Sequence, residues 1–86
     1  MFKMLVGNQE KLVQDVFIDR SVCGKAAMTF TFNDNTIRRI LISDEEKVDM
    51  FQRHSNNESI ASCHLFSIDL CWTTKKGNLY GMNYSQ

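Results

Sequence analysis

ILISDEE, residues 40–46, joins an apolar run to an acidic one and marks the point where a strand passes into a helix. Ser43 is suited to cap this helix by accepting a hydrogen bond from the backbone N–H of Glu46, whose side chain can return to the N–H of Ser43. Acidic residues in the first turn complement the positive end of the helix dipole. The junction predicts a helix from Asp44 to about His54, directly after a strand.

The strand before this helix is expected to be the second half of a hairpin over residues 26–42. Apolar and hydroxyl side chains alternate from Ala27 to Phe32, which is typical of a strand with one buried face. Asn33-Asp34-Asn35 follows, and all three residues tolerate the left-handed backbone angles of a compact turn. Residues 36–42 then carry apolar groups on both faces, which favours a central strand.

A second hairpin is predicted at the end of the chain. Residues 66–73 alternate strictly between apolar and polar side chains, and residues 79–84 place Tyr80, Met82 and Tyr84 on one face. Lys75-Lys76-Gly77-Asn78 supplies the turn between them. At the other end of the chain, residues 2–6 form a short apolar strand that stops at Gly7-Asn8.

Residues 9–20 fit two structures. Leu12, Val13, Val16 and Phe17 fall on one helical stripe, which predicts a helix with Asn8 as its cap. Valine and phenylalanine are also strand formers, and Asn8 with the preceding glycine could turn a hairpin instead.

The elements together predict one small α+β domain over residues 1–86, with two layers. We expect an antiparallel sheet of about four or five strands with one or two helices on one face. If residues 9–20 are helical, the order is the split βαβ arrangement of ferredoxin-like domains with an added C-terminal strand. If they are extended, the fold is an antiparallel sheet of three hairpins with one helix across it.

Composition narrows the classes of function. Ten basic residues balance ten acidic ones, so no overall field favours nucleic acid or an anionic membrane. The first apolar run is too short for a signal peptide, and no run approaches a membrane span. Three cysteines are an odd number with irregular spacing, which argues against a disulfide framework. We expect a cytoplasmic protein.

Candidate metal and catalytic groups are few. Cys63 lies beside His64, but a strand directs neighbouring side chains to opposite faces, and Cys23 and Cys71 add no C-x-x-C pair. The acidic residues of the predicted helix are explained by capping and by the helix dipole. We therefore expect no metal, no cofactor and no enzymatic activity. That acidic set is Asp44, Glu45, Glu46 and Asp49.

Nucleic-acid binding is the alternative function. Arg38 and Arg39 together with Lys75 and Lys76 could contact phosphates if the fold brings them close. However, residues 36–42 lack the aromatic side chains on which an RNA-recognition sheet stacks bases.

A protein-binding surface is the preferred hypothesis. One sheet face of a two-layer domain stays uncovered, and aromatic, methionine and arginine side chains are enriched in interface cores. Most of the aromatic set should pack under the helices, which leaves Tyr80 and Tyr84 as the residues expected to be exposed. The predicted interaction residues are Tyr80, Tyr84, Trp72, Met82, Arg38 and Arg39.

In size and style the chain is similar to the inhibitors that phages and mobile elements make against host defence nucleases, and to immunity proteins that neutralise toxins. The likeness extends to no motif. It implies an inhibitor of a larger enzyme or complex, such as a nuclease or a defence complex; a homodimeric adaptor is the other form of the hypothesis. Either would bind protein and not a membrane.

Overall fold

The computed structural model describes residues 1–85, which contain seven strands and one helix. In chain order they are β1 (Phe2–Val6), β2 (Gln9–Asp19), β3 (Ala26–Phe32), β4 (Ile37–Ile42), α1 (Glu45–Asn56), β5 (Ile60–Leu65), β6 (Asp69–Thr74) and β7 (Leu79–Asn83). Strand therefore dominates the fold.

The strands form one mixed sheet in the order β4-β3-β2-β1-β5-β6-β7. Neighbours are antiparallel except β1 and β5, which run parallel. The sheet curls until its two outer strands meet at one corner. There Ser85, just after β7, exchanges two backbone hydrogen bonds of 2.8 Å with Leu41 of β4. The result is a half-barrel with a concave and a convex face.

The expected ferredoxin-like, two-layer α+β fold is wrong, because residues 9–20 are extended rather than helical. Gly7 adopts a φ of 61°, and the turn at Gly7-Asn8 pairs Val6 with Gln9 at the start of a hairpin. The strand preference of the segment decides its structure once β1 and β3 lie on either side of it. The sheet consequently has seven strands, not four or five, and it is mixed rather than antiparallel.

The strand β5 has no counterpart among the predicted elements, since its segment reads as a polar link. A β-bulge between Ile60 and Ser62 explains this. Because of the extra residue, the buried side chains of β5 are Ile60, Cys63 and Leu65, and the apolar residues do not alternate along the strand. Parallel pairing with β1 then places β5 near the centre of the sheet.

Both predicted hairpins and the predicted helix are present, with two corrections. The strand predicted to be central, β4, lies at an edge of the sheet, and β6 begins at Asp69 rather than at residue 66. The hairpins pair Met28 with Ile40 and Trp72 with Tyr80. The helix begins after Asp44, whose carboxylate accepts a hydrogen bond from the backbone N–H of Lys47 at 3.2 Å. Asp44 is thus the N-cap, one residue later than the predicted Ser43. Within residues 1–85, no helix is both long and apolar enough to cross a membrane.

The core lies between the concave face and α1. Phe51 of the helix is fully buried, and its ring centroid lies 6.3 Å from that of Phe2, 6.0 Å from Phe30 and 5.0 Å from Trp72. These three residues belong to β1, β3 and β6, so one side chain joins distant parts of the sheet. The convex face lies on the other side.

Candidate protein-interaction surface

The C-terminal hairpin directs its predicted interaction residues toward the core. Trp72, Met82 and Tyr84 are 1%, 6% and 8% exposed, and the hydroxyl of Tyr84 donates a hydrogen bond to the carbonyl of Phe66. The predicted exposure of Tyr84 is therefore not observed. A partner would reach these three side chains only by displacing core packing. Tyr80 is half-buried and remains partly accessible.

Tyr80 belongs to a cluster that joins the hairpin to the helix. Its ring stacks on Trp72 at a centroid distance of 5.5 Å and lies 5.1 Å from the ring of His54. The Nζ of Lys47 lies 6.0 Å from the Tyr80 ring centroid, within range of a cation–π interaction. Together these contacts fix α1 against β6 and β7.

The four basic residues do not form one patch. Arg38 and Arg39 are consecutive in β4 and point to opposite faces of the sheet. Arg38 lines a groove with Phe66 and Tyr84, at the end of the half-barrel where β6 begins. Lys75 and Lys76 lie past the other end of β6, about 20 Å away by strand length. A common phosphate-binding site is not assembled.

The cysteines and histidines separate along the sheet. Cys63 is buried and the neighbouring His64 is exposed, on opposite faces of β5. Burial raises the pKa of the Cys63 thiol, and the nearby Cys71 adds to the effect. The fold does bring His64 opposite Cys71 on the convex face, a pairing that spacing in the sequence does not reveal. Within residues 1–85, no three His, Cys, Asp or Glu side chains gather as a metal site would require.

The acidic residues of the helix have structural contacts. Asp44 caps it, and Glu45 and Glu46 lie in its first turn. Asp49 forms an ion pair with Arg20 at 2.7 Å, which connects the helix to the loop after β2. This contact depends on tertiary structure.

The convex face carries an apolar patch that sequence analysis did not single out. Phe17 of β2 and Ile37 of β4 are 63% and 66% exposed. They flank Thr29 and Thr31 of β3, since Phe17 pairs with Thr29 and Thr31 with Ile37, while Arg39 lies opposite Thr29. We name these five residues the Phe17–Ile37 patch. Its aromatic and aliphatic groups with an arginine at the rim match the composition of interface cores.

The exposure of Phe17 does not follow from the residue pattern of its segment. A helix over residues 9–20 places Phe17 on one stripe with Val13, and a regular strand also places these two residues on one face. In an extended strand, the bulge between Val13 and Asp15 sets Phe17 on the face opposite Val13. Only the pairing with β3 shows which face each residue takes.

Comparison with known proteins found no matching family model, no matching curated protein and no matching solved structure.

Proposed function

We propose that this protein is a non-enzymatic protein-binding module that inhibits a larger enzyme or complex through the convex face of its sheet. One observation carries the proposal. Phe17 and Ile37 are large apolar side chains, each more than half exposed, that share one face of a sheet whose other face already holds the core. Burying them against a partner would remove their apolar surface from water and so stabilise the complex.

The size of the molecule is consistent with this role. Its accessible surface is 5371 Å², and a standard interface of about 800 Å² on each partner would cover roughly a seventh of it. The Phe17–Ile37 patch can supply the apolar centre of such an interface. Arg39 at the margin of the patch and Asp15 and Asp19 beside it on β2 can supply a polar rim.

Capture from a native lysate tests the proposal. Tagged protein would be compared with Phe17→Ser and with Leu79→Ser. Leu79 is 70% exposed on the same face of the sheet but lies on β7, the edge strand opposite β4 and far from the Phe17–Ile37 patch. We expect the parent protein and Leu79→Ser to retain the same defined protein, and Phe17→Ser to lose it because the interface centre is removed.

Light scattering and the ratio of absorbance at 260 and 280 nm would identify what is captured. A defined protein that Phe17→Ser retains at the parent level would place the interface elsewhere and contradict the proposal. Nucleic acid released from the captured material would favour the alternative function through the basic residues.

A further inference from the structure

The edge of β4 exposes unpaired backbone groups beside the Phe17–Ile37 patch. In an antiparallel ladder, every second residue directs its N–H and C=O to the same neighbour. Leu41 exchanges both groups with Ser85, so the odd-numbered residues of β4 point away from β3. Thr36, directly before β4, accepts a hydrogen bond from the N–H of Phe32 in β3, so the even-numbered residues face β3. Arg39 and Ile37 therefore direct their N–H and C=O groups outward. Within the described residues, Ser85 pairs with Leu41 and leaves this part of the edge open.

The charged side chains of the open edge strand itself are basic. Arg38 and Arg39 flank it on the two faces of the sheet, and neither belongs to the ion pairs found among residues 1–85. Hydrogen bonds from Ser21 lower the pKa of Asp19, and the charge of Arg39 lowers it by a smaller amount. Asp19 is therefore an acidic neighbour of Arg39 on the convex face, and their interaction is weak. Asp15 and Asp19 lie on β2, two strands from the edge, so the charged residues of β4 itself are Arg38 and Arg39 alone.

A second copy of this chain fits the edge poorly. A two-fold axis would pair β4 with the same strand of the copy, as in any isologous contact. With the axis at Arg38 or at Arg39, that arginine would lie directly opposite the same arginine of the copy, and like charges placed opposite each other on neighbouring strands are destabilising. Charged residues at an edge commonly prevent self-association in this way.

We propose that the edge of β4 binds an extended acidic segment of the partner protein, which adds to the sheet as an antiparallel strand. The inference rests on the proposed function and names the chemistry of its partner. Ile37 and Arg39 would supply the backbone hydrogen bonds. In the partner strand, acidic side chains would lie opposite Arg39 and Arg38, and an apolar side chain opposite Ile37 would extend onto the Phe17–Ile37 patch.

Peptide binding tests the proposal. The probe is a fluorescent, terminally blocked peptide of about eight residues, with valine and threonine around a central Glu-Asp pair. A second peptide carries Lys-Lys at the same place. We expect fluorescence anisotropy to show at least about tenfold tighter binding of the acidic peptide, which weakens as salt is added. Equal affinity for the two peptides, or no binding of the acidic one up to about 1 mM, would overturn the proposal.

Two proline variants provide a matched test of the edge. Ile37→Pro and Leu79→Pro each replace an exposed aliphatic residue at the first position of an edge strand, where proline is tolerated. In both, the lost N–H faces outward, because β7 pairs with β6 through its even-numbered residues. We expect Ile37→Pro to weaken binding of the acidic peptide at least about tenfold, and Leu79→Pro to weaken it less than about twofold. Equal losses would contradict the assignment to β4.

Charge reversal should reverse the preference between the two peptides, which loss of structure alone would not do. The double variant Arg38→Glu, Arg39→Glu should bind the lysine peptide more tightly than the acidic one. A variant that keeps the acidic preference would overturn the role of the arginines. Sedimentation of the parent protein as a dimer that Ile37→Pro dissociates would assign the edge to a second copy instead.

These outcomes separate the two proposals. If Phe17→Ser loses the captured protein while the acidic peptide does not bind, the convex face is the interface and strand addition is wrong. If the acidic peptide binds with the expected preferences while Phe17→Ser retains the captured protein, the edge recognises acidic strands and the proposed convex interface is wrong.

Discussion

The indole Nε1 of Trp72 donates a hydrogen bond to Nδ1 of His54 across 3.0 Å. Trp72 is buried, so this histidine nitrogen satisfies a donor that water does not reach. An accepting Nδ1 carries no hydrogen, which places the imidazole proton on Nε2. One side-chain bond thus fixes the last turn of α1 against β6.

Removing the acceptor should destabilise the fold. We expect His54→Leu to lower the free energy of unfolding by about 1–3 kcal/mol, because the buried indole N–H is left without a partner. The control is His64→Leu, at an exposed side chain, with an expected change within about 0.5 kcal/mol. Urea unfolding followed by circular dichroism measures both. Similar losses in the two variants would show that the hydrogen bond to Trp72 is not what His54 contributes.

Phe51 should be the side chain on which the core depends most. It contacts three strands, and Phe51→Ala would leave a cavity among the rings of Phe2, Phe30 and Trp72. We expect a loss of about 3–5 kcal/mol, enough to unfold a small domain in part. Phe17→Ala, at an exposed ring, should change stability by about 0.5 kcal/mol or less. Thermal unfolding compares them, and a larger loss at Phe17 would contradict the assignment of inner and outer faces.

The turn between β3 and β4 should make stability depend on pH. Hydrogen bonds from the hydroxyl and the backbone N–H of Thr36 lower the pKa of Asp34, and Lys11 beside it adds to the effect. A carboxyl whose pKa is lowered by folding stabilises the protein above its unfolded pKa of about 3.9, and that contribution is lost as the pH falls through the lower folded value.

We therefore expect Asp34→Asn to be less stable than the parent at pH 7 and to lose less stability between about pH 4 and pH 2. The two proteins should converge in acid. Urea unfolding at a series of pH values measures this, and a gap that does not change with pH would assign the effect of the variant to something other than the carboxylate charge.

The three cysteines should differ in reactivity. Cys63 is buried and its thiol pKa is raised, whereas Cys23 is exposed. With iodoacetamide at about pH 8, near the ordinary pKa of a thiol, we expect Cys23 to be alkylated while Cys63 stays unmodified, as peptide mass spectrometry would show. In guanidinium all three should react. Early labelling of Cys63 in the folded protein would contradict its place in the core.

Local patterns predicted the elements whose signals lie within a few residues. The hairpin turn at residues 33–35 and the alternation of residues 69–73 were interpreted correctly, because turn chemistry and side-chain period are local properties. The alternation of residues 66–68 was not, since these residues form the turn between β5 and β6, with Phe66 and Ile68 exposed. The segment 9–20 was not, since its residues suit a helical stripe and a strand equally. The strand β5 was missed because a bulge interrupts its period.

The candidate surface was predicted less well than the hairpins. The aromatic residues of the last hairpin were correctly placed on one face, but only the curl of the sheet makes that face the inner one. Arg38 and Arg39 were identified as a pair, while the open backbone groups of Ile37 and Arg39 depend on where Ser85 meets Leu41.

By itself, the sequence determined the turns at residues 33–35 and 75–78, the helix after residue 43 and the charge balance, because these depend on neighbouring residues and on composition. Tertiary structure decided the parallel pairing of β1 with β5, the closing contact of Ser85 with Leu41 and the exposure of Phe17 and Ile37. The physical reason is that a strand leaves half of its backbone hydrogen bonds and the choice of its buried face to partners that are distant in sequence.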